Sequence, residues 1–187
     1  DTDAAHFVAE GQVYLSDRID RVVGGIIGQV RFTKAEINPE GVFEKPLNFD
    51  LGALDLRVQL DPMIVDIGQL VLVRGEERIS LKGQMELGDG GWTSAIDLTA
   101  EQFSAESLLA FWPLGLKPKT RSWIAKNIHA GQMRNLTAVA RLAPKAEPEV
   151  NVGFDLYGAN FNFLKNLPPV QDGIGYGVLT AKSFDVV

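Results

Sequence analysis

The feature that most constrains this chain is a two-residue alternation of apolar and polar side chains. In Leu54-Asp55-Leu56-Arg57-Val58-Gln59-Leu60-Asp61 the even positions are apolar and the odd ones polar. Ile79-Ser80-Leu81-Lys82-Gly83-Gln84-Met85-Glu86-Leu87 repeats it, with Gly83 as the one gap. Trp92, Ile96 and Leu98 continue it, and Val150, Val152, Phe154 and Leu156 alternate with Asn151, Gly153, Asp155 and Tyr157. Successive strand residues point to opposite sides of the pleat, so each run gives a half-buried strand with one apolar face.

Turn residues punctuate these runs at short intervals. Asn38-Pro39-Glu40-Gly41 places Pro and Gly where a type I turn takes them. Asp61-Pro62, Arg74-Gly75 and Gly88-Asp89-Gly90-Gly91 mark further reversals. Short strands joined by tight turns pair with their sequence neighbours, which predicts a mostly β, antiparallel meander. Ten to twelve strands are expected.

One stretch, about 105–130, changes period. Glu106-Ser107-Leu108-Leu109-Ala110-Phe111-Trp112 reads as a helix stopped by Pro113, and Pro118 suits the first position of a second helix. Trp123, Ile124, Asn127 and Ile128 share a face of that helix, and Gly131 is its expected stop. Ten strands at ~4.8 Å spacing make a sheet nearly 50 Å wide, whereas a ten-residue helix is ~15 Å long. The insertion is therefore expected to cover two or three strands. A second sheet, closure of the sheet on itself, or something outside this chain must cover the rest.

Composition narrows the function classes. The 187 residues suit one domain or one segment of a longer protein, with the loop 143–149 as a candidate internal boundary. The chain begins at Asp1 with neither Met nor a signal-like stretch, and reads as a segment of a larger protein. A net charge of −6 argues against nucleic acid and against docking on anionic head groups. It leaves contact with lipid tails open. With no cysteine, disulfides and thiolate metal sites are excluded. No run reaches the ~18 apolar residues of a membrane-spanning helix.

Candidate chemistry is sparse. His6 and His129 lack partners at ligand or catalytic spacing, so no metal site and no catalytic residue is assigned. Gly24-Gly25-Ile26-Ile27-Gly28 lacks the Lys-Ser/Thr ending of a phosphate loop and reads as glycines inside a strand. Gly173, Gly175 and Gly177 leave one strand face bare, either for a bulky neighbour or ligand or at a bend. The carboxylates are scattered, and no cofactor is expected. Asn135-Leu136-Thr137 matches a glycosylation sequon, which matters only in a eukaryotic secretory setting. Lys117, Lys119, Arg121 and Lys126, interleaved with Trp112, Leu116 and Trp123, make a small cationic and aromatic cluster. An ordinary amphipathic helix and a head-group contact both account for it.

The segment Phe111-Trp112-Pro113-Leu114-Gly115-Leu116-Lys117-Pro118-Lys119-Thr120-Arg121-Ser122-Trp123-Ile124, running on to Asn127-Ile128 and Gly131, resembles the signature of AsmA-like proteins, specifically the YhdP-type central domain. Its signature positions here are Trp112, Pro113, Leu116, Pro118, Arg121, Trp123 and Ile124. Phe154 to Asn160, Leu167-Pro168-Pro169 and Gly173 are similar to a later stretch of that family, and Gly11-Gln12-Val13 and Gly83-Gln84-Met85 fit its strands. The resemblance implies an extended, curved antiparallel β-sheet forming a groove, with this chain as one section. It implies a periplasmic location in a Gram-negative envelope, in a parent protein anchored in the inner membrane outside this segment. The implied partner is phospholipid, bound or conducted without catalysis, and the envelope protein partners are not specified. On that reading Leu56, Val58, Leu60, Leu81, Met85, Ile96, Phe154 and Leu156 line the lipid path. The competing expectation is a β-sandwich whose apolar faces meet each other and which binds a protein partner without lipid.

Overall fold

The computed structural model describes residues 5–19, 22–115, 117–162, 166–180 and 182–187. Among the described residues there are ten strands and two helices. In chain order they are β1 (Ala5–Ile19), β2 (Val22–Ile37), β3 (Leu47–Leu60), β4 (Met63–Arg74), β5 (Glu77–Gly88), β6 (Gly91–Ser104), α1 (Ala105–Phe111), α2 (Pro118–Asn127), β7 (Ile128–Leu142), β8 (Glu149–Phe161), β9 (Val170–Thr180) and β10 (Phe184–Val186). The strands form one antiparallel sheet in the order β1 to β10, and β1 does not pair with β10. The sheet is open, and among the described residues no second sheet stacks on it. The mostly β meander is therefore observed, and the sandwich architecture is not.

Register ties the apolar sides of the strands together. Leu54 pairs with Leu70, Leu70 with Leu81, Leu81 with Leu98, Leu98 with Ala138, Ala138 with Val152, Val152 with Leu179 and Leu179 with Phe184. Paired residues lie on the same side of a sheet, so this row crosses eight strands on one face. Two bulges keep it in phase. Asp55 pairs with Gln69 but Leu56 with Ile67, so Gly68 is an extra residue that turns both Ile67 and Leu70 inward. On β7, Asn135 at φ +52° lets Met133 and Leu136, three residues apart, both bury. The opposite face carries charged and polar pairs beside scattered aliphatics such as Val71 and Val139: Arg141 pairs with Asp97 at 2.7 Å, and Gln84 Nε2 donates to Asp66 at 2.6 Å.

Three expectations need correction. The turn after β2 runs from Pro39 to Val42, whose N–H donates to the Pro39 carbonyl at 3.1 Å. With Gly41 third and at φ +71° this is a type II turn rather than type I. Gly131 does not end α2. The helix stops at Asn127, Ile128–Ala130 already belong to β7, and Gly131 at φ +139° lets the backbone pass close to Ala159. The insertion also reaches further than two or three strands.

That reach has an identifiable cause. The two helices and the turn at 112–115 sit in the connection between β6 and β7, and their contacts reach from the link after β2 to β10. α1 begins at Ser104, whose Oγ accepts from Ser107 N at 3.0 Å, and ends where Pro113 forces Trp112 out of helical conformation. α2 starts, as expected, with Pro118 at its first position. Phe111 stacks against Phe49 of β3 at 5.6 Å and Phe103 of β6 at 5.1 Å. Two rings three strands apart meet one ring, so the helices sit on the concave side. Leu114 N donates to Val42 O at 2.8 Å, Arg121 pairs with Glu44, and Trp123 packs on Phe184 of β10 at 6.1 Å. Asn162 N, in the connection after β8, donates to Asn127 O at 2.9 Å. The three long connections at this end thus bond into one cap.

Candidate functional site

The apolar face divides into two halves. Under the cap, Phe103, Leu136 and Phe154 are 4–5% exposed and belong to one core with Phe49, Ile79, Ala100 and Met133. Beyond the Leu54-to-Phe184 row the same strands continue to the tight turns at 61–62 and 89–90 and to the loop 143–148. No described element stands over them there. At that end Leu60, Leu87, Trp92 and Leu142 are 40–46% exposed.

All eight of the proposed lining residues fall on this face. Leu56 pairs with Ile67, Ile67 with Gly83 and Gly83 with Ile96, while Val58 pairs with Val65 and Val65 with Met85. Leu60 closes the β3 end of the set opposite Met63, and Leu81 lies on the dividing row. These six gather in the uncovered half. Phe154 and Leu156 lie on the same face but at the capped end, where Phe154 is buried in the core with its ring over Gly177. That contact gives the bare strip of β9 a bulky neighbour from the sheet itself. Val65, Ile67, Ala140 and Val150 belong to the uncovered half as well. Val150 already stands in the alternation, whereas Val65 and Ile67 are obscured because Met63-Ile64-Val65 is an unbroken apolar run and Gly68 re-phases the strand.

Five strand spacings and four residues give the uncovered half an area of roughly 24 by 13 Å, or about 300 Å². Patches of that size are the largest that ordinary monomers leave open, and they are often functional.

Between the cap and the sheet lies a crevice of about 160 Å³. Leu98, Ala138 and Val152 line its floor and Phe111, Trp112 and Ile124 its roof, and every other lining side chain is also apolar. Its floor residues are those of the dividing row, so the crevice is continuous with the uncovered half.

The signature residues build this cap. Trp112 and Ile124 are buried against Leu179, Pro113 lines the crevice, and Pro118 starts α2. Arg121 ties α2 to Glu44 and Trp123 ties it to Phe184. Leu116 lies outside the described residues. Lys119 and Lys126 are exposed and Lys117 is half-buried in the left-handed turn before α2, while the aromatic members of the cluster face the sheet.

A polar latch fixes the start of α1. Glu77 accepts from Ser107 Oγ, from Ser104 N at 3.3 Å and from both Nε (3.2 Å) and Nη2 (2.8 Å) of Arg74, which also lies over the Phe111 ring at 4.9 Å. Burial pushes the Glu77 carboxyl up. The Ser107 and Arg74 hydrogen bonds, the Ser104 N–H and the Arg74 charge outweigh it and hold the group below the usual carboxylate range.

Among the described residues no three His, Asp or Glu side chains cluster as metal ligands, and no helix is long and apolar enough to cross a membrane. His129 sits at the surface with Nε2 3.0 Å from Asn162 Nδ2, and His6 is exposed on β1. Compared with family models, curated proteins and solved structures, the chain matches none of them.

Proposed function

We propose that this chain is a non-enzymatic section of a bacterial envelope protein whose apolar β-groove binds or conducts phospholipid between the inner and outer membranes. The uncovered half of the apolar face carries the reading. Six strands present aliphatic side chains to one side as a contiguous patch of about 300 Å², while the other side carries the charged pairs. A hydrocarbon ligand satisfies such a face without needing partners for polar groups. The resemblance of the Trp112-to-Ile124 cap to the YhdP-type AsmA-like signature supports a periplasmic setting and a parent protein anchored elsewhere in its sequence. Catalysis, cofactor and metal have no part in this reading.

The test is lipid retention. The chain, expressed in a Gram-negative periplasm and purified without detergent, should carry phospholipid detectable by extraction and mass spectrometry. Leu81→Glu should strip that lipid while leaving the circular dichroism spectrum unchanged, because Leu81 is only half-buried on the dividing row and lies outside the crevice lining. A lipid-free protein that solution scattering shows to be a face-to-face dimer would overturn the proposal in favour of a second copy as the occupant.

A further inference from the structure

The crevice beneath the cap gives the uncovered face a direction. Resting on the lipid-binding reading above, we propose that the crevice seats the methyl end of an acyl chain. The bound lipid then lies along the strands, with its tail toward Trp112 and its head toward the turns at Asp61-Pro62 and Asp89-Gly90. Three observations carry this.

The crevice has no polar lining side chain, so it cannot receive a phosphate, carboxylate or ester without leaving that group unpaired and desolvated. Its roof and inner wall are the buried Trp112 and Ile124. At about 160 Å³ it compares with the ~150 Å³ apolar cavity that accommodates benzene, which is room for about six carbons.

Length sets how far the head can reach. From Leu98 at the crevice floor to Trp92 at the open end is six residues of β6, about 20 Å of strand. One leaflet of a bilayer is about half of its ~30 Å hydrocarbon core. A chain with its end in the crevice therefore leaves its head on the uncovered face, short of the open rim but on the side toward it. At that rim Asp61, Asp89 and Lys145 are exposed, so a head group stays in water.

The three tryptophans report the orientation, since Trp112 lines the crevice and Trp92 stands at the open end. Two single-tryptophan chains are needed: Trp92→Phe with Trp123→Phe leaves Trp112, and Trp112→Phe with Trp123→Phe leaves Trp92. Each is checked for a native circular dichroism spectrum and titrated with a long-chain fatty acid brominated either at the terminal carbon or near the carboxyl. Bromine quenches tryptophan on contact. Terminal bromine should quench Trp112 several-fold more than carboxyl-proximal bromine does, and the order should reverse at Trp92. Quenching at Trp92 with the opposite order, or with none at Trp112, overturns the orientation while leaving lipid binding intact. Quenching at neither site by either probe overturns lipid binding itself. Ala138→Leu and Ala138→Phe fill the crevice floor. In whichever variant keeps the parent unfolding midpoint, terminal-bromine quenching of Trp112 should be lost and quenching of Trp92 kept. Unchanged Trp112 quenching in such a variant also overturns the proposal.

Discussion

At the helix-bearing end of the sheet Phe103, Leu136 and Phe154 are sealed by the cap, while Leu60, Leu87, Trp92 and Leu142 stand open on neighbouring strands of the same face. Both sets obey the same alternation and come from the same residue classes. The connections differ. The capped end carries the long links at 38–46, 105–127 and 162–169 beside one tight turn at 75–76, whereas the open end has tight turns and one short loop. An alternating strand thus specifies which side is apolar but not whether that side becomes core or wall. The length and chemistry of the connections decide it.

Substitutions that differ only in which half they strike give the largest contrast. Phe154→Ala should cost about 3–5 kcal/mol in urea unfolding, as truncated buried aromatics do. Leu60→Ala should cost less than about 1 kcal/mol, because it removes little packing. Equal losses would mean that the open end is packed in solution by a partner. Next in size is the latch. Glu77→Ala should cost about 2 kcal/mol, since it removes hydrogen bonds to a charged group and leaves Ser107 without its acceptor.

The same residue fixes a pH response. The folded carboxyl has the lower pKa, so as pH falls through the ordinary carboxylate range the unfolded chain binds the proton first. The latch's contribution is therefore complete above that range and is lost as pH falls through the folded value. Unfolding midpoints measured down an acid series should fall less steeply for Glu77→Gln than for the parent chain. The smallest effect belongs to the Arg121–Glu44 pair. Glu44 is largely exposed, so Glu44→Gln should change stability by about 0.5 kcal/mol or less, and added salt should reduce even that.

Much of the face was legible in sequence, since period 2 alone assigned Leu56, Val58, Leu60, Leu81, Met85 and Ile96 to one side. The phase shifts at Gly68 and Asn135 were not. A bulge depends on how one strand pairs with another, and neither residue differs locally from an ordinary strand glycine or turn asparagine. The two helices were legible from the Glu106-to-Trp112 run, Pro113 and Pro118, but their span was not, because Arg121 and Glu44 are 77 residues apart. Local pattern locates the cap along the chain and says nothing about which distant loop it grips.

The unbroken strand order has a consequence for how such a sheet changes in evolution. Every described strand bonds only to its neighbours in sequence, so a hairpin can be added or deleted without rethreading the rest. Strands must come in pairs, because a single insertion would exchange the two ends and send the next long connection to the wrong one. The ties from Val42 to Leu114 and from Glu44 to Arg121 act as a fixed span across this extendable series. They hold the number of strands between β3 and β6 constant, and the contact of Trp123 with Phe184 extends the same constraint from β7 to β10.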